Sequence, residues 1–139
     1  MAEKLSTIEY KETLKPLKIL VINDDNITLT DIAVALPSSL KKGEDVIFVS
    51  SYEKAISAIK ENDFTIIFLD HNLTPNGGEG FKILEVIQKK EQNEGKKIKV
   101  YSTTKDEKIQ KQYKEKGIKW VSEFKIAFKI GKILNPKKI

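Results

Sequence analysis

Five short apolar runs alternate with segments of helical periodicity along the chain. The runs predict strands near residues 18–23, 45–50, 64–70, 97–102 and 118–122, and the segments between them predict helices near residues 27–37, 52–62, 79–92, 105–116 and 124–134. Strands that alternate with helices are typical of a parallel sheet covered by helices. The sequence therefore predicts an α/β fold with a doubly wound, five-stranded parallel sheet.

Two of the apolar runs deliver carboxylates at their carboxyl ends. The first run is followed by Asp24 and Asp25, and the third ends at Asp70. Ligands of open parallel sheets bind in the crevice beyond the strand ends. Three carboxylates crowded there repel one another, so we expect a hard divalent cation among them, bound through oxygen. The pattern predicts a metal and phosphoryl site.

Composition limits the organisation of the chain. With 139 residues, of which 40% are hydrophobic, the chain suits one domain. We predict an N-terminal arm over residues 1–16, the domain over residues 17–134 and a tail over residues 135–139. The absence of cysteine excludes disulfides and thiolate zinc sites, and no apolar signal-peptide core follows Met1. A cytoplasmic protein with no membrane contact is expected.

The net charge of +5 is unevenly distributed. Residues 96–139 carry fourteen lysines and four acids, a net +10, which leaves −5 for residues 1–95. A basic half can attract an acidic partner. Its lysines do not interleave with aromatic residues as in single-strand binders, so direct nucleic-acid binding is not expected.

The ordered set of motifs resembles the receiver domains of bacterial two-component response regulators, those of the chemotaxis type. The likeness spans about residues 17–134. It rests on KILVINDDN at residues 18–26, on IFLDHNL at residues 67–73 with Pro75 and Gly80 beyond it, and on VYST at residues 100–103 followed by Asp106 and Gly117. The resemblance implies a flavodoxin-like sheet with strand order 2-1-3-4-5.

The resemblance also implies a role for each matching residue. Asp70 matches the phospho-acceptor, which takes a phosphoryl group from a histidine kinase or phosphotransfer protein. Such a chain is no enzyme beyond slow self-dephosphorylation, and it signals to a downstream protein target or pairs with itself through its fourth and fifth helices. The other matches are the Mg²⁺ ligands Asp24, Asp25, Asp70 and the Asn72 carbonyl, the phosphoryl-binding hydroxyl of Ser102, and Lys125, which pairs with phosphoryl oxygen.

Several positions leave alternatives open. A shift of one residue places Asn23 and Asp24 at the site, and aligning Trp120 with the family's aromatic places Glu123, rather than Lys125, at the lysine position. The loop over residues 71–80 is about two residues longer than usual, and we expect His71 to be partly exposed there. Asn26 and Ser51 are predicted to cap the first and second helices, and Thr103 to cap the fourth.

Two other functions compete with phosphoryl acceptance. A receiver-like module could bind its partner without phosphorylation, although the acids argue against that. Residues 70–74 also resemble the nucleophile loop of haloacid-dehalogenase-like phosphohydrolases. Asn72 stands there in place of the second acid, so this alternative fits poorly.

Overall fold

A computed structural model describes residues 17–134 of the chain. In that range the chain forms five strands, five α-helices and one 3-10 helix, Glu123–Lys125. The strands are β1 (Ile19–Ile22), β2 (Val46–Val49), β3 (Ile66–Leu69), β4 (Lys99–Ser102) and β5 (Lys119–Trp120); the helices are α1 (Asn26–Ala35), α2 (Tyr52–Glu61), α3 (Glu79–Glu94), α4 (Glu107–Glu115) and α5 (Ile126–Leu134).

The five strands form one parallel sheet in the order β2-β1-β3-β4-β5. This arrangement confirms the predicted doubly wound, flavodoxin-like fold. The two central strands β1 and β3 are buried on both faces, which explains why each is an uninterrupted apolar run. Their carboxyl ends lie side by side at one edge of the sheet.

Alternate residues of the central strands supply two separate cores, because successive side chains of a strand point to opposite faces. Leu20 and Ile67 pack on one face with the apolar sides of α2, α3 and α4. Val21 and Phe68 pack on the other face with α1 and α5. Helices therefore cover both faces, and the strand ends between them are left for a site.

The helix caps differ in part from the prediction. Ser51 caps α2, as predicted, by accepting a hydrogen bond from Lys54 N. Asn26 does not cap α1, because the Asp25 carboxylate accepts the hydrogen bond from Ile27 N at 2.9 Å. Thr103 does not cap α4, where Asp106 accepts from two backbone amides. The observed strands and helices begin and end within two residues of the predicted bounds.

The predicted arm, residues 1–16, and the predicted tail, residues 135–139, lie outside the described residues, and their boundaries stay predictions. Between residues 17 and 134, no helix combines the length and the apolar character needed to cross a membrane.

Candidate phosphoryl site

The strand register places the candidate residues at one level. Ile22 pairs with Leu69, and Leu69 pairs with Ser102, so the residues that follow these three, namely Asn23, Asp70 and Thr103, come next to one another. Backbone hydrogen bonds continue past the strands, from Asp70 N to Ile22 O at 3.2 Å and from Thr103 N to Leu69 O at 3.0 Å. The loops beyond β1, β3 and β4 therefore converge on Asp70.

A polar cavity of about 300 Å³ opens above Asp70. Its lining combines side chains from four loops with several acids and a single lysine. The lining residues are Asn23, Asp24, Asp25, Thr28, Asp70, Asn72, Thr103, Thr104, Lys105, Asp106 and Glu123.

The two acids after β1 have different surroundings. The Asp25 carboxylate accepts from Ile27 N and, at 3.1 Å, from Thr28 Oγ1, and these hydrogen bonds lower the pKa of Asp25. Asp24 makes no such cap, and its charge acts on Asp70. Asn23 is buried, with its Oδ1 accepting from Asp25 N at 2.9 Å. All three residues line the cavity, and Asp24 is the one whose charge and side-chain hydrogen bond raise the pKa of Asp70.

Asp70 is the most strongly perturbed acid of the site. Burial raises the pKa of Asp70, the Asp24 charge raises it further, and the pKa reaches about 7. The His71 backbone amide donates to Asp70 Oδ1 at 3.0 Å and offsets a part of this effect. At neutral pH the cavity therefore holds an acid close to its titration midpoint.

The loop after Asp70 is fixed by two side chains. The side-chain Oδ1 of Asn72 accepts from Gly78 N at 3.0 Å, so the side chain of Asn72, and not its backbone carbonyl, makes this hydrogen bond. Glu79, the first residue of α3, accepts from Leu73 N, Thr74 N and the Thr74 hydroxyl. These hydrogen bonds, led by the one from the Thr74 hydroxyl, lower the pKa of Glu79 to about 2. The longer loop is thus held by side-chain hydrogen bonds, and its residue Asn72 lines the cavity.

Replacing Glu79 by alanine should destabilise the fold by about 1–3 kcal/mol, because three donors of the loop lose their acceptor. The wild-type contribution should be complete above about pH 4.5, the usual pKa of the group, and should be lost as the pH falls toward 2. Thermal unfolding between pH 2 and 7 measures both effects. Glu85→Ala, an exposed acid of the same helix, serves as the control; an equal loss there would contradict the role of Glu79.

His71 is not the partly exposed loop residue that the sequence suggested. Only 4% of its surface is exposed, and its ring packs edge-on against Phe81 and Tyr113. The Nδ1 atom is hydrogen-bonded to the Tyr113 hydroxyl at 2.9 Å, and burial lowers the pKa of His71. The side chain therefore points away from the cavity and joins the core beneath α3 and α4.

Two of the expected site residues do not line the cavity. Ser102 is fully buried in β4, and its hydroxyl has no hydrogen-bond partner among residues 17–134. Lys125 is exposed at the end of the 3-10 helix. Thr103 and Lys105 line the cavity instead, and Glu123 points toward it. Of the two candidates for the lysine position, Glu123 lines the cavity and Lys125 does not.

These additional residues had weak signals in the sequence. Thr103 follows Ser102 directly, so a register difference of one residue separates the two hydroxyls. Lys105 belongs to a chain with many lysines and has no motif of its own. Only the strand pairing, in which Leu69 lies opposite Ser102, distinguishes the two hydroxyls.

The three carboxylates predicted as metal ligands, Asp24, Asp25 and Asp70, all line the cavity. Within the described part of the chain, no group of three or more His, Asp or Glu side chains is arranged to hold a metal ion by itself. The Asp25 carboxylate caps α1, where it accepts from Ile27 N and Thr28 Oγ1. Asp24, Asp70 and the Asn72 carbonyl remain as oxygen donors suited to a hard cation.

Comparisons with known proteins agree with this fold. No curated protein sequence matches the chain significantly. Among solved structures, the Legionella pneumophila response regulator LqsR superposes with a TM-score of 0.64 at 16% identity over 87% of this chain, which spans 43% of LqsR. Vibrio cholerae chemotaxis protein CheY4 gives 0.62 at 17% identity, with 86% of this chain and 97% of CheY4 covered.

The receiver domain of the Arabidopsis thaliana histidine kinase CKI1, solved with Mg²⁺ and BeF₃⁻, gives a TM-score of 0.63 at 18% identity, with 89% and 93% covered. These likenesses establish the fold. A sequence profile of the cyclic-phosphate processing receiver domains matches residues 19–117, which is more than half of the chain. The match agrees with the receiver interpretation rather than with the dehalogenase-like one. The chain therefore belongs to the cyclic-phosphate processing receiver domains.

Proposed function

We propose that this receiver domain accepts a phosphoryl group on Asp70 from a histidine kinase or phosphotransfer protein and signals through protein contacts. The observation that carries the proposal is the position of Asp70 at the floor of the polar cavity, level with Asn23 and Thr103. A carboxylate oxygen of Asp70 attacks phosphorus and forms an aspartyl phosphate. The role that the resemblance gave to Ser102 passes to Thr103, which lines the same cavity and whose hydroxyl donates to Leu69 O at 3.4 Å.

Mg²⁺ is the proposed cofactor, and the donors fit it. Burial and repulsion by Asp24 raise the pKa of Asp70, so a cation between the two carboxylates would remove an unfavourable charge contact. Asp24, Asp70 and the Asn72 carbonyl would hold the ion, while Asp25 fixes the loop that carries Asp24. When bound, the ion neutralises charge on the transferring phosphoryl oxygens.

The proposed partners follow from this role. Lysines are concentrated in α4, β5 and α5, so a downstream target with an acidic surface, or a second copy of the chain, would meet these elements after phosphorylation. We propose a cytoplasmic signalling domain that does not act as a conventional enzyme.

A second function is the opening of a cyclic phosphate by water, which would yield an acyclic phosphomonoester. The family description favours it. So does the pKa of Asp70, which at about 7 suits a general base at neutral pH. In that case Asp70 would accept the proton of the attacking water instead of attacking phosphorus itself.

One experiment separates the two functions. The protein is incubated with Mg²⁺ and either acetyl phosphate or a nucleoside cyclic phosphate. Intact-mass and peptide mass spectrometry follow Asp70, and phosphorus NMR follows ring opening. We expect a single phosphoryl group on Asp70 and no turnover of the cyclic phosphate. Turnover of the cyclic phosphate without labelling of the protein would establish the second function. If neither labelling nor turnover is observed, a phosphorylation-independent binding module is the remaining function.

A further inference from the structure

An ion pair between Lys105 and Glu123 lies at the mouth of the phosphoryl site. Lys105 Nζ is 3.0 Å from Glu123 Oε1, and the second carboxylate oxygen, Oε2, accepts from Asn23 Nδ2 at 3.1 Å. Both charged residues line the cavity above Asp70. The pair thus connects the loop after β4 with the 3-10 helix that precedes α5.

The two side chains of this ion pair differ in how strongly they are held in place. The Glu123 side chain is 14% exposed and is held by Asn23, whereas the Lys105 side chain is 70% exposed. The backbone beside Lys105 is fixed, because the Thr104 carbonyl accepts from Trp120 Nε1 at 2.6 Å and from Gln110 Nε2 at 3.0 Å. Lys105 therefore has an anchored backbone and a side chain that can change partner.

We propose that Lys105 is the phosphoryl-binding cation of this domain and that Glu123 holds it before phosphorylation. The inference rests on the proposed phosphorylation of Asp70. When the phosphoryl group forms, its oxygens compete with Glu123 for the Lys105 ammonium. The exchange leaves Glu123 beside new negative charge, so the 3-10 helix and α5 are released from the loop after β4. The switch thus uses a lysine from the β4 loop and an acid from the β5 loop.

Beryllofluoride, which mimics the phosphoryl group on Asp70, tests the exchange. Its affinity in the presence of Mg²⁺ is measured by fluorine NMR and by Trp120 fluorescence. Lys105→Ala should weaken binding roughly 10- to 100-fold, because a charge-assisted hydrogen bond is lost. Glu123→Gln should tighten binding roughly 3- to 10-fold, because the competing charge is removed. Lys105→Arg should retain a part of the affinity.

Lys108→Ala is the matched control, since Lys108 is an exposed lysine three residues further along that does not line the cavity. If wild type binds beryllofluoride and Lys105→Ala binds it with the same affinity, Lys105 is not the phosphoryl-binding cation. The proposed phosphorylation of Asp70 would not be affected by that result. A loss of beryllofluoride affinity in Lys125→Ala instead would identify Lys125 as the phosphoryl-binding cation. If wild type neither binds beryllofluoride nor takes label from acetyl phosphate, the proposed function and this inference both fail.

Discussion

We expect Asp70→Asn to abolish phosphorylation by acetyl phosphate and to make the domain more stable at pH 8, because the carboxylate that we propose as the nucleophile is also a buried acid beside the charge of Asp24. An amide cannot attack phosphorus, so labelling should fall to the background. The amide also remains neutral beside Asp24, and its NH₂ can donate to that carboxylate. A loss of function should therefore accompany a gain in stability.

The gain depends on pH in a defined direction. The pKa of Asp70 is raised from 3.8 to about 7 in the folded state, so ionisation is costly only after folding. Wild type is most stable, with respect to this group, below about pH 4 and loses stability as the pH rises through 7. Asp70→Asn escapes that loss, so we expect an advantage of about 1–3 kcal/mol at pH 8 and almost none at pH 4.

The response to Mg²⁺ distinguishes the stability gain of Asp70→Asn from the effect of removing a surface charge. Added Mg²⁺ should raise the Tm of wild type at pH 8 by binding the folded state, and should raise that of Asp70→Asn much less. Asp31→Asn, an exposed acid of α1, controls for net charge. Residual labelling of Asp70→Asn, or equal stability of the two proteins at both pH values, would contradict the role of Asp70.

The fold was predictable because its signal is repeated along the chain. Each central strand is an apolar run with an acid one or two residues beyond its end, and α2 to α5 each carry an apolar side. Asp70 and Asp24 were predictable for the same reason, since the end of a buried parallel strand fixes where the next side chains lie. Local sequence is sufficient where one residue follows directly from a strand.

The remaining residues depend on contacts between distant segments. Ser102 and Thr103 are neighbours, and only the pairing of β3 with β4 decides which of the two residues lines the cavity. Asp25 is predicted as a metal ligand, and the structure adds a second role, in which its carboxylate accepts from Ile27 N and caps α1. His71 follows the acceptor in a polar loop, yet Tyr113, 42 residues later, supplies the partner that buries it. Such positions are decided by packing, which sequence periodicity does not encode.

Gly80→Ala should strongly destabilise this domain, although it adds only one methyl group. The new Cβ would overlap Tyr113 Oη and would lie 2.8 Å from both the His71 Cα and Nδ1 atoms. Tyr113 is fully buried and the His71 contact includes backbone, so neither neighbour can yield easily. In the interior of a helix, alanine normally stabilises by about 1 kcal/mol relative to glycine. Here the overlap outweighs that preference, and we expect a net loss of about 2–4 kcal/mol.

Two further variants show whether the collision is the cause. Gly131→Ala, in α5, places its Cβ within 4 Å of no atom of the described residues and should be neutral or slightly stabilising. Tyr113→Phe removes the atom nearest to the new methyl group. Alone it should cost about 1 kcal/mol, because the bond to His71 is lost. In the Gly80→Ala background it should instead restore a part of the stability. Thermal and urea unfolding of wild type, Gly80→Ala, Tyr113→Phe and the double variant give the coupling between the two positions. Additive losses would show that the collision with Tyr113 is not what makes glycine necessary beside the phosphoryl site.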